Sequence, residues 1–357
     1  MIPHTFGQTD PFTVGVEEEL FCLDAETLAP RPFPREALDG ARLKEELFES
    51  VVELNTGIHG TPAEAAEELS LLRARAKEAA AEKGLVLAAS GTWPTAVPEE
   101  QPVVESPAYR KFVDYAGPSA RRQYVSGLHV HVGMASPEAC MAALEAVLPW
   151  LPLVLALSAN SPYVAGADTG LRSARAEILA LLPRSGAPPV FSSYEDWERF
   201  VERLVELGLA DEITRVWWDI RPHPRFGTLE IRIADQPTRL EVTAALATLL
   251  HAMASRLDSD GPADRGIYAQ NRWAALRFGP RAELIHPDGE RTATASELFG
   301  ELLELVAPAA RELGSTELLE ALDPSRCEGD RQLEVARSRG LEGVVADVAE
   351  RTLGSLP

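Results

Sequence analysis

Between residues 13 and 24 apolar and polar positions alternate with period two. Val14, Val16, Leu20 and Cys22 fall on one side of an extended chain, with Glu18 interrupting them, and Glu17 and Glu19 fall on the other. The stretch TVGVEEEL therefore predicts a strand that is apolar on one face and acidic on its reverse. Extended structure returns in ELFESVVELNTG, in the short buried run LVLAASGTWP, in the strictly alternating VSGLHVHVGM, and in VWWDIRPHPRFGTLEIRIADQ, two segments joined by a Pro/Gly turn. A helical stripe of Leu69, Leu72 and Ala76 follows Thr61 as cap, Pro62 as first residue and Glu64 as partner in a capping box, and Gly84 ends it. Ser136-Pro137-Glu138 opens a helix through Ala146 that the apolar run 147–159 continues. SSYEDWERFVERLVELG reads as an amphipathic helix, and TRLEVTAALATLLHAMASRL as another with Thr238 as cap and Glu241 closing the box. The segment 103–124 reads as loop and helix, and SANSPYVAGADTGLRSARAEI as a long functional loop. Residues from about 260 to 357 are mainly helical, and no linker or repeat divides the chain, so 1–357 reads as one domain. Strands separated by irregular helices, with one hairpin, predict an α+β fold: an antiparallel sheet carrying helices on one side.

The polar faces of those strands hold the candidate chemistry. Glu17 and Glu19 share one face; at an effective dielectric of about 20, two like charges ~6 Å apart repel by roughly 3 kcal/mol, so a cation belongs between them. Glu46, Glu49 and Glu53 follow, and Glu53 lies within VVELN, where a bare carboxylate is costly unless paired or metal-bound. His129 and His131 point the same way in GLHVHVG, and Glu230 and Arg232 share a face in TLEIRIAD. If helices cover the apolar faces, these polar faces gather into one acidic floor suited to Mg²⁺ or Mn²⁺, with zinc a poorer match to a glutamate-dominated set. Arg172 and Arg175, and Arg221 and Arg225, are loop arginines whose forks bind carboxylates or phosphates in bidentate fashion, which points to phosphoryl transfer. Trp217 and Trp218 read as buried core residues.

Composition narrows the partners. Against 55 acidic residues the chain has 34 basic ones, a net charge of −21, which repels a phosphate backbone and excludes sequence-independent nucleic-acid binding. Cys22, Cys140 and Cys327 form no CxxC pair and read as reduced, packed thiols of a cytoplasmic protein. The run 147–159 is too short to span a bilayer and the N-terminus carries no secretory pattern, so no membrane partner is expected. GxxxxGK[ST], GxGxxG and GxSxG are all absent.

TVGVEEEL, ELFESVVELNTG, GLHVHVG, LALSANSPYVAGADTG and WWDIRPHPRFGTLEIRIAD, in this order, resemble the glutamate–cysteine ligase type 2 family, carboxylate–amine ligases related to glutamine synthetase. The resemblance runs over residues 12–257 and more loosely beyond. It implies a sheet curved into a funnel, ATP with two or more Mg²⁺, and an amino-acid carboxylate activated as an acyl phosphate that an amine converts to an amide. Glutamate and cysteine are the implied pair; a non-cysteine amine, a non-catalytic nucleotide-binding protein and a metal-dependent hydrolase are the alternatives. By the same resemblance Glu17, Glu19, Glu46, Glu53 and Glu230 are metal ligands, His129 a metal- or nucleotide-side imidazole with His131 beside it, and Arg232 the arginine on the transferred phosphoryl group. Arg172, Arg175, Arg221 and Arg225 are implied to hold substrate carboxylate or phosphates. A homodimer is a further implication, and Glu18 is expected to form a salt bridge beneath the sheet.

Overall fold

A computed structural model describes residues 2–210, 215–259 and 261–352. Its centre is a seven-stranded sheet: β1 (Val14–Asp24), β2 (Leu43–Glu45), β3 (Val51–Asn55), β4 (Leu85–Ala88), β5 (Leu128–Gly133), β6 (Ile220–His223) and β7 (Thr228–Ile231), in the order β6-β7-β5-β1-β3-β2, with β4 pairing the far half of β1. Every pair in it is antiparallel and the path does not close into a barrel. This is the α+β architecture that the alternation predicts.

Helices cover one face. Helix α1 (Pro62–Ala81) begins with the Thr61–Glu64 capping box and Pro62, and its Leu72, Ala76 and Ala80 pack on Leu20, Cys22, Val52 and Leu54. The larger core joins Val14, Val16, Leu128, Val130, Val132, Leu229 and Ile231 to helices α2 (Pro137–Val147), α3 (Leu151–Ser158) and α4 (Leu240–Arg256). Beyond these lie α5 (Arg265–Phe278), α6 (Ala295–Glu312) and α7 (Glu328–Thr352), the last folded back at Gly340, where φ is +68° and ψ −174°. On the opposite face the sheet is divided. Phe21 and Leu23 continue the side of Glu17 and Glu19 into a second core with Phe48, Trp93 and Tyr124, which closes that end of the polar floor.

Two expectations are corrected. Thr238 is not the cap of α4: the helix starts at Leu240 with Arg239 at the cap position and no side-chain cap bond. The Thr238 hydroxyl instead donates to Ala89 O at 2.9 Å and accepts from Asn160 Nδ2 at 3.0 Å, tying α4 to the end of β4. The run 147–159 also does not stand alone: α2 and α3 run on as one 22-residue stretch, Pro137–Ser158, with an 18-residue window of mean hydropathy 2.0, long and apolar enough to cross a bilayer by length and composition. Of that window 78% is inside the protein, where its leucines and valines form the core.

Candidate active site

Register places the charges. Across β1 and β3, Glu19 stands opposite Glu53 and Glu17 opposite Asn55; across β1 and β5, Glu17 stands opposite His129 and Gly15 opposite His131; across β5 and β7, His131 faces Glu230; and across β6 and β7, Glu230 faces Arg221. Directly opposed like charges such as Glu19 and Glu53 destabilise a sheet. The charged and imidazole side chains of these pairs line a cavity of about 340 Å³ together with Glu46, Arg232, Arg215, Trp217 and His223.

One end of the funnel is acidic. Glu19, Glu46 and Glu53 each offer a carboxylate oxygen, and those atoms lie within 4.8 Å of one another. Burial first, then the Glu46 charge, pushes Glu19 up to about 8, with Arg175 and the Gly127 N–H (2.6 Å) offsetting only part. Burial and the charges of Glu17 and Glu46 push Glu53 up to about 7 despite Lys44 at 3.4 Å. Burial also raises Glu46, although the Leu47 N–H and the Tyr109 hydroxyl donate to it. Three mutually repelling carboxyls with only partial compensation form an oxygen-rich cradle, the donor chemistry a hard divalent cation takes.

The other end is basic, its two arginines gathered on Glu230. Glu230 accepts from Arg221 Nε at 2.7 Å and Nη2 at 3.0 Å, and from Arg232 Nη1 at 2.7 Å. Burial raises its pKa, but the two guanidinium groups win and hold it well below the usual carboxylate range. Between the two ends, Glu17 meets His129 Nδ1 at 3.1 Å and His131 Nε2 at 3.5 Å. Burial opposes its ionisation, yet the two imidazoles hold it well below the usual range. Burial and the Arg232 charge depress His129 to about 4, so it is neutral at pH 7. His131 also bonds the Thr228 hydroxyl at 2.9 Å.

The structure thus brings Glu17, Glu19, Glu46, Glu53, His129, His131, Arg221, Glu230 and Arg232 into one cavity. It does not bring Arg172 there: Arg172 bonds Asp330 at 2.7 Å, an acid it shares with Arg281, away from the funnel. Arg221 is on strand β6, not in a loop. Arg175 lies buried under the site and donates to Ile233 O and Arg232 O; a Cβ at Gly127 would fall 2.0 Å from its Nη2, so only glycine leaves it room. Arg175 too is not in a loop but in the first turn of a short helix, Ala174–Leu179, capped by Ser173; the segment before it is pinned by Asp235, which accepts from Ser161, Ser173 and the Asn160 N–H. Arg225 is exposed at the β6–β7 turn and lines a neighbouring chamber of about 640 Å³ with Phe226, Ile58, Arg42 and Lys44. That chamber shares Glu17 and His131 with the funnel. Glu49 faces outward onto Arg35. Glu18 is wholly buried beneath the sheet against Arg73, at 2.6 and 2.7 Å. Trp218 is core and Trp217 lines the funnel. Sequence reasoning missed His223 and Arg215; His223 had a signal, since it alternates with Arg221 on one strand face.

Among solved structures, the glutamate–cysteine ligase of Francisella tularensis in complex with AMP matches with a TM-score of 0.68 at 16% identity, covering 96% of this chain and 89% of its own. The bifunctional glutathione synthetase of Pasteurella multocida matches with a TM-score of 0.67 at 17% identity, covering 96% and 52%. The fold is that of the glutamine synthetase-like ligases. A Rubrobacter xylanophilus protein provisionally named glutamate–cysteine ligase 2-3 is 42% identical over 358 residues, 97% of this chain and 99% of that one. A Sorangium cellulosum protein of the corresponding name is 37% identical over 360 residues, 96% of each. Residues 13–348 match the family described as glutamate–cysteine ligase family 2. The chain belongs to that family, and it is an ATP-dependent, amide-forming ligase of the glutamate–cysteine ligase kind.

Proposed function

We propose that this ligase transfers the γ-phosphoryl group of ATP to an amino-acid carboxylate, that of glutamate, and joins the acyl phosphate to an amine, with cysteine the first candidate. The observation that carries the reading is the polarity of the one funnel: three crowded carboxyls at one end, two arginines clamped on Glu230 at the other. Glu19, Glu46 and Glu53 would hold Mg²⁺ or Mn²⁺, with Glu17 and His129 alongside. A divalent cation there supplies charge neutralisation for the transferring phosphoryl group. Glu230 fixes Arg221 and Arg232, and the Arg232 fork would take phosphoryl oxygens as charge develops. Neutral His129 keeps Glu17 oriented without adding a cation. The larger adjoining chamber, with its apolar wall at Ile58 and Phe226 and its cations Arg42, Lys44 and Arg225, suits the nucleotide. In the second step the amine nitrogen bonds to the carbonyl carbon, phosphate leaves, and the nitrogen gives up a proton, for which the enclosed funnel supplies positioning.

We take residues 1–357 as one catalytic unit, since Arg73 of α1 bonds the Thr352 carbonyl of α7. The three buried, unpaired thiols favour a cytoplasmic setting. Small molecules and ATP are its partners in this reading, with a homodimer as its assembly. The test is ADP release by purified protein given ATP, Mg²⁺, glutamate and one amine at a time. Release that requires one particular amine establishes the ligation and names the acceptor. ADP release that no amine alters would replace the reading with a hydrolase, and ATP binding without any release would replace it with a nucleotide-binding protein.

A further inference from the structure

On the helical side of the molecule four arginines converge on a second cavity of about 380 Å³: Arg239 at the start of α4, and Arg326, Arg331 and Arg351 around α7. The doubling-back of α7 at Gly340 creates the arrangement. It brings Arg331 onto Asp347, Nε to Oδ2 at 2.8 Å, and Arg351 onto Glu328, at 2.6 and 2.8 Å, so the two halves of the helix lie side by side. Glu328 also receives Arg239, but only through Nε at 3.1 Å. Arg326 reaches out to Glu334 on the surface.

Four guanidinium groups and two carboxylates, Asp323 and Glu328, line the cavity. Asp347 and Glu334 pair Arg331 and Arg326 from outside that lining, so the cluster as a whole is balanced, four carboxylates to four guanidinium groups, while the wall a solute meets presents more guanidinium N–H groups than carboxylates. An arginine cluster that served only to close the helix hairpin would need neither Arg239 nor Arg326, and would not enclose a cavity of ligand size. The side chains of Arg239, Arg326 and Arg331 are 40–42% exposed, so solvent and solutes reach them. Helix α4 adds to the field, because its N-terminus has no side-chain cap and its dipole favours an anion.

We propose that this cleft is a second ligand site of the ligase and takes a small phosphate-bearing anion, bridging Arg239 of α4 to the arginines of α7. A phosphate or pyrophosphate group matches the guanidinium forks in geometry and takes N–H groups that the carboxylate partners leave free, as on Arg239, which meets Glu328 through Nε. Bound there, it ties the C-terminal helix hairpin to the helix that follows directly on funnel strand β7, and raises the protein's melting temperature.

Inorganic pyrophosphate is the probe, titrated calorimetrically into the full chain in EDTA so that no metal assists binding in the funnel. The expected result is one site per chain with an affinity tighter than about 1 mM, weakened at least about tenfold in Arg239→Gln/Arg326→Gln and unchanged in Arg232→Gln. Arg326→Gln alone serves if the double variant fails to fold, and should weaken binding in the same direction. Absence of binding in that range overturns the proposal. So does binding that survives the cleft substitutions but disappears with Arg232→Gln, which would place it in the funnel.

Discussion

Replacing Glu53 by glutamine should make the metal-free protein more stable and the enzyme inactive. Glu53 faces Glu19 across β1 and β3 and titrates at about 7, where an unfolded glutamate titrates near 4.5. A carboxyl whose folded pKa is raised contributes stability that is complete below the unfolded value and is lost as pH rises through the folded one. The wild-type protein without metal therefore loses stability between about pH 4.5 and 7, by about 3 kcal/mol from this group alone, since each pH unit is worth about 1.4 kcal/mol. The substituted side chain retains an acceptor for the Asn55 amide, which bonds Glu53 at 2.7 Å, and carries no charge. In urea denaturation with EDTA the two proteins should coincide near pH 4, and the variant should lead by about 3 kcal/mol at pH 8. Mg²⁺ should then raise the wild type and leave the variant nearly unmoved, while ADP release by the variant falls to background. A gap that stays constant from pH 5 to pH 8 would refute the crowded-carboxylate reasoning, and full activity in the variant would remove Glu53 from the metal site.

The opposite sign is expected at the other end of the funnel. Glu230→Gln removes the carboxylate shared by buried Arg221 and Arg232 and should cost about 3–5 kcal/mol as well as turnover; an unchanged urea midpoint would show the clamp to be dispensable. Arg232→Lys keeps a charge but loses the planar fork, so kcat should fall by at least about 100-fold with the fold intact, read from ADP release beside a thermal melt; near-normal kcat would shift the phosphoryl contact to Arg221 or Arg215. Beneath the sheet, Arg73→Met should destabilise by about 3–5 kcal/mol and Glu18→Gln in the same chain should restore part of it; a double variant no better than the single one would mean the loss comes from packing.

Strands and their faces were legible because period two is strict in TVGVEEEL, GLHVHVG and TLEIRIAD, and register follows once neighbours are known. What alternation could not give is which strand lies beside which. It is the pairing of β7 with β5 and β6 that gathers Arg221 and His131 about Glu230, and in sequence Arg221 looked like a loop residue because Pro222 and Pro224 flank His223. Arg172 and Arg175 shared one motif, three residues apart, yet one is carried to Asp330 and the other under the funnel, since the turn at Ser173, held by Asp235, separates them. Thr238 had every local mark of a cap, and tertiary contacts with Ala89 and Asn160 claimed its hydroxyl first. The fold at Gly340 leaves no mark in a helical pattern beyond a lone glycine.

Three consecutive glutamates in β1 are a consequence of building a site on a sheet with one wet face and one dry one. Glu17 and Glu19 reach the funnel only if residue 18 points into the protein, and a carboxylate there is tolerable only when saturated. Glu18 is saturated: it accepts from Arg73 twice, from Gln236 at 2.8 Å and from Thr243 at 2.7 Å. Those partners come from α1, from the segment leading out of β7, and from α4, so the buried ion pair clamps under β1 the elements that flank the funnel. Gln236 extends the clamp, because its Oε1 accepts the Glu19 N–H at 3.3 Å. A leucine at 18 would pack as well and avoid the desolvation cost, so stability alone does not explain the choice. Holding Glu19 against the repulsion of Glu46 and Glu53 does, since a site of crowded carboxyls keeps its geometry only when the backbone beneath it cannot move apart.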